Sequence, residues 1–296
     1  MTQRAVLCLL FAALMLGTVC GASRPTALAQ KVTTAAVSPP QDLLPDPLQM
    51  PEGEAETTRL NGVDIFYQVF GEGSPVLLLH GGLSNGDHWV NVIPELTAAG
   101  YQAVVMDSRG HGRSTFDQRP ISYELMASDV LTLMDHLGIT HADLVGWSDG
   151  GIISLQLALT HPERLNRVVA YGANFDPTGV RLDIGQNAYF NAYIAAAARE
   201  YQELSPAPQR WQEFLANISH MWATEPNYTM DQLQSITTPF LILDGEKEEA
   251  IDLNQTKLMW RLIPGAELAL MPDTGHFALF QQPAEFSQIT LDFLGG

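Results

Sequence analysis

At 296 residues, 46% hydrophobic and only 16% charged, the chain is long and apolar enough to bury one sizeable core, in the range of a single large α/β domain. Its formal net charge of −18 at pH 7 makes nucleic acid and anionic membrane poor partners.

The N-terminus reads as a secretory leader. Met1 to Arg4 carry one positive charge, and the apolar run Ala5–Leu16 is too short and wrongly flanked for a transmembrane helix. Ala27-Leu28-Ala29 before Gln30 has the small-x-small form of a signal-peptidase site, with Ala22 an earlier candidate. A signal peptide over residues 1–29 and a secreted or periplasmic location are therefore expected. Cys8 and Cys20 both lie in the leader, so the exported chain would hold no thiol and no disulfide. Lipid anchoring at Cys20 is an alternative, but Val19 before it is bulkier than such sites usually carry. The leader holds Arg4 and Arg24 and no acid, so its removal takes the net charge from −18 to −20. No stable membrane partner is expected of the mature form.

Residues 30–56 scatter Pro39, Pro40, Pro45, Pro47 and Pro51 among Ser, Thr and acids without the periodicity of a packed element, which predicts a flexible Pro-rich linker. The folded domain is expected over 57–296. Val63 to Val69 alternates enough for an edge strand, and Pro75 to Leu79 is a continuous apolar run expected of a fully buried strand. Further runs follow at 103–106, 142–145, 167–170, 240–243 and 267–270. Helical spacing occupies Tyr123 to Leu137 after a Ser122 cap, Gly151 to Thr160, and Pro283 to Leu294. Strands alternating with helices predict a mostly parallel central sheet with flanking helices. Between Tyr171 and Pro239 no buried-strand run occurs, but the aromatics Phe190, Tyr193, Tyr201, Trp211, Phe214, Trp222 and Tyr228 and the Ala195 to Ala198 helical piece do, so an inserted helical cap is expected over roughly 175–235.

Gly146-Trp147-Ser148-Asp149-Gly150-Gly151 lies between the run ending at Val145 and the helix that follows. A serine on a strand-to-helix turn takes a strained backbone conformation, glycines on either side relieve the crowding, and the hydroxyl is lifted above the sheet edge. An ordinary Gly-rich turn would share the letters but not this context. A serine hydroxyl needs a base, itself oriented by an acid, in the order Ser, acid, His. His276, in the loop after the last predicted strand, is the expected base. After the strand at 240–243, Asp244, Glu246, Glu248 and Glu249 compete for the acid. In a fold of this kind the acid usually stands on the turn after the strand, three residues beyond the glycine that ends it, which here is Glu248, with Asp244 still in strand register and Glu246 and Glu249 expected to face solvent. For the oxyanion, the Asp149 amide is one expected donor and the Gly82 amide of His80-Gly81-Gly82-Leu83 the other, with Leu83 as second choice. Trp147 is expected to contact substrate. Asp107-Ser108-Arg109-Gly110-His111-Gly112-Arg113-Ser114 reads as a hydrogen-bonded scaffold turn. No metal and no organic cofactor are expected, because no Cys or His cluster has ligand spacing and no glycine loop cradles a phosphate.

Through these segments the chain from Val63 to Leu294 resembles the α/β-hydrolase superfamily. Gly146 to Gly151 and Tyr171-Gly172-Ala173-Asn174 look like the valacyclovir hydrolase, or biphenyl-hydrolase-like, group, which cleaves α-amino-acid esters. The resemblance implies hydrolysis of a small-molecule ester and gives the Asp149 carboxylate a role in holding a substrate ammonium group; a charge that merely tunes the turn is the plainer reading. Glu248 stands where that group mostly has Asp. Lactonases, carbon–carbon bond hydrolases and cofactor-free haloperoxidases share these residues within the fold, and a non-catalytic secreted binding protein is the rival from another class.

Overall fold

The computed structural model describes residues 49–296. The expected leader, both cysteines and the linker up to residue 48 lie outside the described residues.

Eight strands form one sheet in the order β1-β2-β4-β3-β5-β6-β7-β8: β1 (Glu54–Leu60), β2 (Val63–Phe70), β3 (Ser74–Leu79), β4 (Tyr101–Met106), β5 (Ala142–Trp147), β6 (Leu165–Tyr171), β7 (Phe240–Gly245) and β8 (Glu267–Met271). The first two pairings, β1 with β2 and β2 with β4, are antiparallel, and the remainder of the sheet is parallel. Two expectations change here. Residues 54–56, assigned to the linker, belong to β1, where Glu54, Ala55 and Glu56 pair with Val69, Gln68 and Tyr67. The segment expected as an edge strand, β2, is therefore covered by β1, and the Glu56 carboxylate accepts from the Tyr67 hydroxyl. The mostly exposed β1 carries its Glu and Thr side chains without an apolar run, which is why it does not read as a strand.

The apolar runs are buried on both faces. Along β3, Leu77 and Leu79 join the core beneath α2 (Tyr123–His136) and α3 (Asp149–Thr160), while Val76 and Leu78 join the opposite core with Trp89, Ile93 of α1 (Ile93–Ala98) and Phe286 of α9 (Pro283–Gly295). Each such leucine contributes roughly 2 kcal/mol by leaving water. Helix α2 shows how the local signals work together. Ser122 accepts the Leu125 N–H, Met126, Val130 and Leu133 turn inward, and Gly138 at φ 69 ends it, with the Ile139 N–H returning to the Met134 carbonyl.

Between β6 and β7 run three helices: α4 (Ala188–Leu204), α5 (Trp211–Thr224) and α6 (Met230–Gln234). They carry the aromatics noted in the sequence, among them Tyr201 stacked on Phe214 at 5.1 Å between ring centres. After β7 come α7 (Leu253–Leu262) and, following β8, α8 (Ala278–Gln281).

The Asp107 to Ser114 turn is knitted into the scaffold. One oxygen of Asp107 accepts the Gly86 N–H and the other the Arg113 N–H, both at 2.7 Å, and Arg109 forms a buried pair with Asp129 of α2.

Candidate active site

Ser148 sits between β5 and α3 at φ 54 and ψ −115, one of four non-glycine residues with positive φ among those described. The surrounding glycines are required sterically. A Cβ on Gly146 would lie 2.3 Å from the Gly150 carbonyl oxygen, and one on Gly150 would lie 1.9 Å from the Leu79 oxygen. The Ser148 N–H is held by the Tyr171 carbonyl at 2.8 Å, so the turn is pinned to β6.

His276 lies in the loop between β8 and α8, held at both ends of its backbone. Its N–H donates to the Glu249 carboxylate and its carbonyl accepts from the Trp147 indole N–H, each at 2.7 Å, and the Tyr171 hydroxyl donates to the Gly275 carbonyl. A Cβ on Gly275 would strike the Glu249 carboxylate, which explains the glycine before the histidine. The imidazole Nδ1 is 2.9 Å from both oxygens of the Glu248 carboxylate, one of which also accepts the N–H groups of Ala250 and Ile251. Gly172, at φ 60 after β6, leaves the space in which the ring rests: a Cβ there would come within 2.9 Å of it.

Ser148 and His276 open on one cavity with about 490 Å³ of empty volume. Val180, Ile184, Phe190, Ala250 and Ile251 supply its apolar lining, and Tyr123, Asp149, Asn174 and Glu225 its polar one. The Asp149 carboxylate accepts the Tyr123 hydroxyl at 2.8 Å and the Trp222 indole N–H at 2.9 Å. Gly82 lies against the same pair, since a Cβ on it would meet Trp222 at 2.3 Å and the Asp149 carboxylate at 2.5 Å. Neither the Gly82 nor the Asp149 N–H has a hydrogen-bond partner among the described residues.

Burial dominates the electrostatics. It pushes Glu248 up to about 7, against the opposing effect of hydrogen bonds from Asp244 and the Ala250 and Ile251 amides. Asp244, fully buried beside Glu248 and bonded to Thr256 at 2.6 Å, is driven well above the usual carboxylate range by burial and its acidic neighbour. His276 is held below its ordinary value by burial, with Glu249, Asp244 and Asp149 pulling the other way. Asp149 rises to about 6 by burial, its hydrogen bonds from Tyr123 and Trp222 opposing the rise.

The structure thus brings Ser148, His276 and Glu248 together. It departs from expectation at two positions. Trp147, expected to touch substrate, is 1% exposed and lies outside the cavity lining, its indole turned under the His276 loop; a residue next to an outward-facing strand residue points to the other face. Glu249, expected to face solvent with Glu246, is half-buried and fixes the His276 backbone. Sequence reasoning missed Tyr123, Asn174 and Glu225 in the cavity wall, and Trp222. Tyr123 and Trp222 sit on helices and read equally well as core, Glu225 is an acid just past a helix end with nothing to aim it, and Asn174 is marked only by its place in the Tyr171 to Asn174 segment.

Residues 74–199 match the family model described as alpha/beta hydrolase fold. The chain is 29% identical over 248 residues to the serine hydrolase BPHL of Homo sapiens, covering 79% of this chain and 84% of that one. It is 28% identical over 274 residues to the 2-hydroxy-6-oxo-6-phenylhexa-2,4-dienoate hydrolase of Comamonas testosteroni, covering 78% and 91%. Among solved structures, Est816, described as an N-acyl homoserine lactone degrading enzyme, is 30% identical with a TM-score of 0.63, covering 80% of this chain and all of that one. Eight strands in this order, a serine elbow above them and relatives spanning about four-fifths of the sequence have one common meaning: the chain belongs to the α/β-hydrolase family.

Proposed function

We propose that this protein hydrolyses carboxylic esters of small molecules through a serine acyl-enzyme intermediate. The observation that carries the reading is the Glu248 to His276 hydrogen bond of 2.9 Å beside a positive-φ Ser148 that opens on the same cavity as His276. With Nδ1 engaged by the carboxylate, Nε2 of the ring is the base. It takes the Ser148 proton as Oγ bonds to the ester carbon, and Glu248 stabilises the resulting imidazolium. The carbonyl electron pair moves onto oxygen, where the Gly82 and Asp149 amides receive it. Collapse expels the alcohol with the proton returned from His276, and water then releases the acid by the same steps.

The BPHL likeness and the acidic wall formed by Asp149 and Glu225, with no Lys or Arg among the described residues that line the cavity, support an ester whose acyl part carries an ammonium group. Est816, named for lactone degradation, supports including cyclic esters, which open by the same attack. The dienoate hydrolase supports carbon–carbon bond cleavage as a second reading. The leader-like residues 1–29 support export as part of the proposal.

The test is turnover of short p-nitrophenyl esters, wild type against Ser148→Ala. Activity lost in the variant is the expected result, and an amino-acid ester preferred over its des-amino counterpart only while Asp149 is present would assign the ammonium contact. A wild type that is inert on every ester, yet labelled at Ser148 by a fluorophosphonate, would replace ester hydrolysis by the second reading.

A further inference from the structure

The loop after β3 must hold a backbone amide at a fixed point, yet it contains Leu83 at φ 63, a left-handed conformation that leucine rarely adopts unaided. The groups that restrain this loop come from the cap. The Tyr193 hydroxyl of α4 donates to the Gly82 carbonyl at 2.6 Å. About two turns further along the same helix, a Glu200 oxygen accepts from both His88 Nε2 and Asn85 Nδ2 at 2.9 Å. With Nε2–H given to the carboxylate, Nδ1 of a neutral His88 ring accepts the Ser84 hydroxyl, 2.6 Å away. His88 and Ser84 are both essentially unexposed, so the relay cannot reach substrate. Tyr193, Glu200, His88, Asn85 and Ser84 do not line the cavity.

The second cap helix acts on the other proposed donor. Trp222 of α5 covers Gly82 and donates its N–H to the carboxylate of Asp149. Both residues whose amides would receive the oxyanion are therefore gripped by the cap, one through its carbonyl and one through its side chain. A peptide is planar, so fixing the Gly82 carbonyl also fixes the Leu83 N–H that shares its plane and narrows the orientations open to the Gly82 N–H.

From this arrangement we infer that the cap assembles the oxyanion hole: Tyr193 and Glu200 are positioning residues that orient the Gly82–Leu83 peptide, so acyl transfer is fast only while α4 is seated. The inference rests on the proposed serine mechanism and on the loop amide as oxyanion donor.

The experiment measures kcat and KM for a p-nitrophenyl ester together with the ratio of inhibition constants for a methyl ketone and its trifluoromethyl analogue. The fluorinated ketone adds Ser148 Oγ to its carbonyl carbon, passes the serine proton to His276 and leaves an oxyanion in the hole, so the ratio reads the hole directly. In the purified wild type the trifluoromethyl ketone should bind at least about a hundredfold tighter. Tyr193→Phe and Glu200→Ala should each lower both kcat and this ratio about tenfold with KM within about twofold, a fraction of the loss from deleting a donor outright. Glu200→Gln, which retains an acceptor for His88, should recover most of both. Tyr193→Phe keeps the ring packed on Phe277 and Trp147, so it decides the matter even where Glu200→Ala does not fold. Variants that keep the wild-type ratio and kcat, or that raise KM alone, overturn the inference. A wild type that shows no preference for the trifluoromethyl ketone overturns the oxyanion assignment beneath it instead.

Discussion

Glu248 presents both carboxylate oxygens to Nδ1 of His276 at 2.9 Å and anchors one of them on the backbone N–H groups of Ala250 at 2.6 Å and Ile251 at 3.0 Å. The longer glutamate thus reaches the ring without freedom to swing, because both ends of its carboxylate are occupied. Glu248→Gln keeps the volume but cannot accept at both oxygens, and its amide N–H would face either Nδ1 or a backbone N–H. A fall in kcat of about 10² to 10⁴ is expected, against about 10⁴ or more for Ser148→Ala and His276→Ala, all with unchanged near-UV circular dichroism. Near-normal activity in Glu248→Gln would transfer the acid's role to Asp244 or Glu249.

Asp244 makes the pH profile unusual. Its carboxyl is buried, accepts from Thr256 and the Gly245 N–H, and hydrogen-bonds to Glu248, whose charged form it favours. Turnover needs Glu248 ionised with His276 neutral. With Glu248 pushed up to about 7, the acid limb of kcat/KM is expected close to neutrality rather than in the usual carboxylate range. Asp244→Leu removes the donor, leaves Glu248 harder to ionise and moves that limb to higher pH, whereas Asp244→Asn keeps an N–H donor and moves it less. Rates measured from pH 5 to 9 decide; a limb that stays put or moves down in Asp244→Leu would show that Asp244 does not act on Glu248.

What the sequence made legible follows from which forces are local. The strands at the sheet centre announce themselves because both faces are buried, leaving unbroken apolar runs such as Val76 to Leu79. The elbow is legible because its strand, serine turn and helix follow one another within a few residues and Gly146 is crowded by Gly150 four residues on, although the contact that fixes Gly150 is with the distant Leu79 of β3. Glu248 could be chosen over its neighbours because the α/β-hydrolase pattern stations the acid three residues beyond the glycine that ends the strand. Glu249 could not be read, since its partner, the His276 N–H, is 27 residues away and only the fold brings it there. The cap contacts of Tyr193 and Trp222 were illegible for a similar reason: an aromatic on a helix shows that it will be covered, not by what.

Gly172 separates geometry from stability. A Cβ there would stand 2.9 Å from Nδ1 and Cε1 of His276, so Gly172→Ala must move the ring off Glu248. At φ 60 it also carries a left-handed penalty, which Gly138→Ala shares at φ 69 with no atom within 4 Å of the new Cβ. Both variants are expected to lose about 1 kcal/mol in urea unfolding. Only Gly172→Ala should lose activity, by about tenfold or more, as misplaced catalytic groups do. Equal activity in the two variants would show that the ring tolerates displacement.

Far from this cavity, Asp143 at the start of β5 is only 6% exposed, and its Oδ1 has no partner among the described residues. Burial pushes its carboxyl up to about 6, with Arg167 opposing. A folded-state value above the unfolded one means that the native state binds the proton more tightly. Folding is therefore unpenalised below about pH 4, where the acid is protonated in both states, and loses stability as the pH rises through 6. Asp143→Asn should leave the melting temperature at pH 4 nearly unchanged and raise stability at pH 8 by on the order of 1–3 kcal/mol, since the amide has no charge to bury. The comparison is of melting curves for the two proteins across that range. A variant stabilised equally at both pH values would point to packing rather than ionisation as the cost at this position, and one destabilised at pH 8 would mean that the Arg167 attraction outweighs burial.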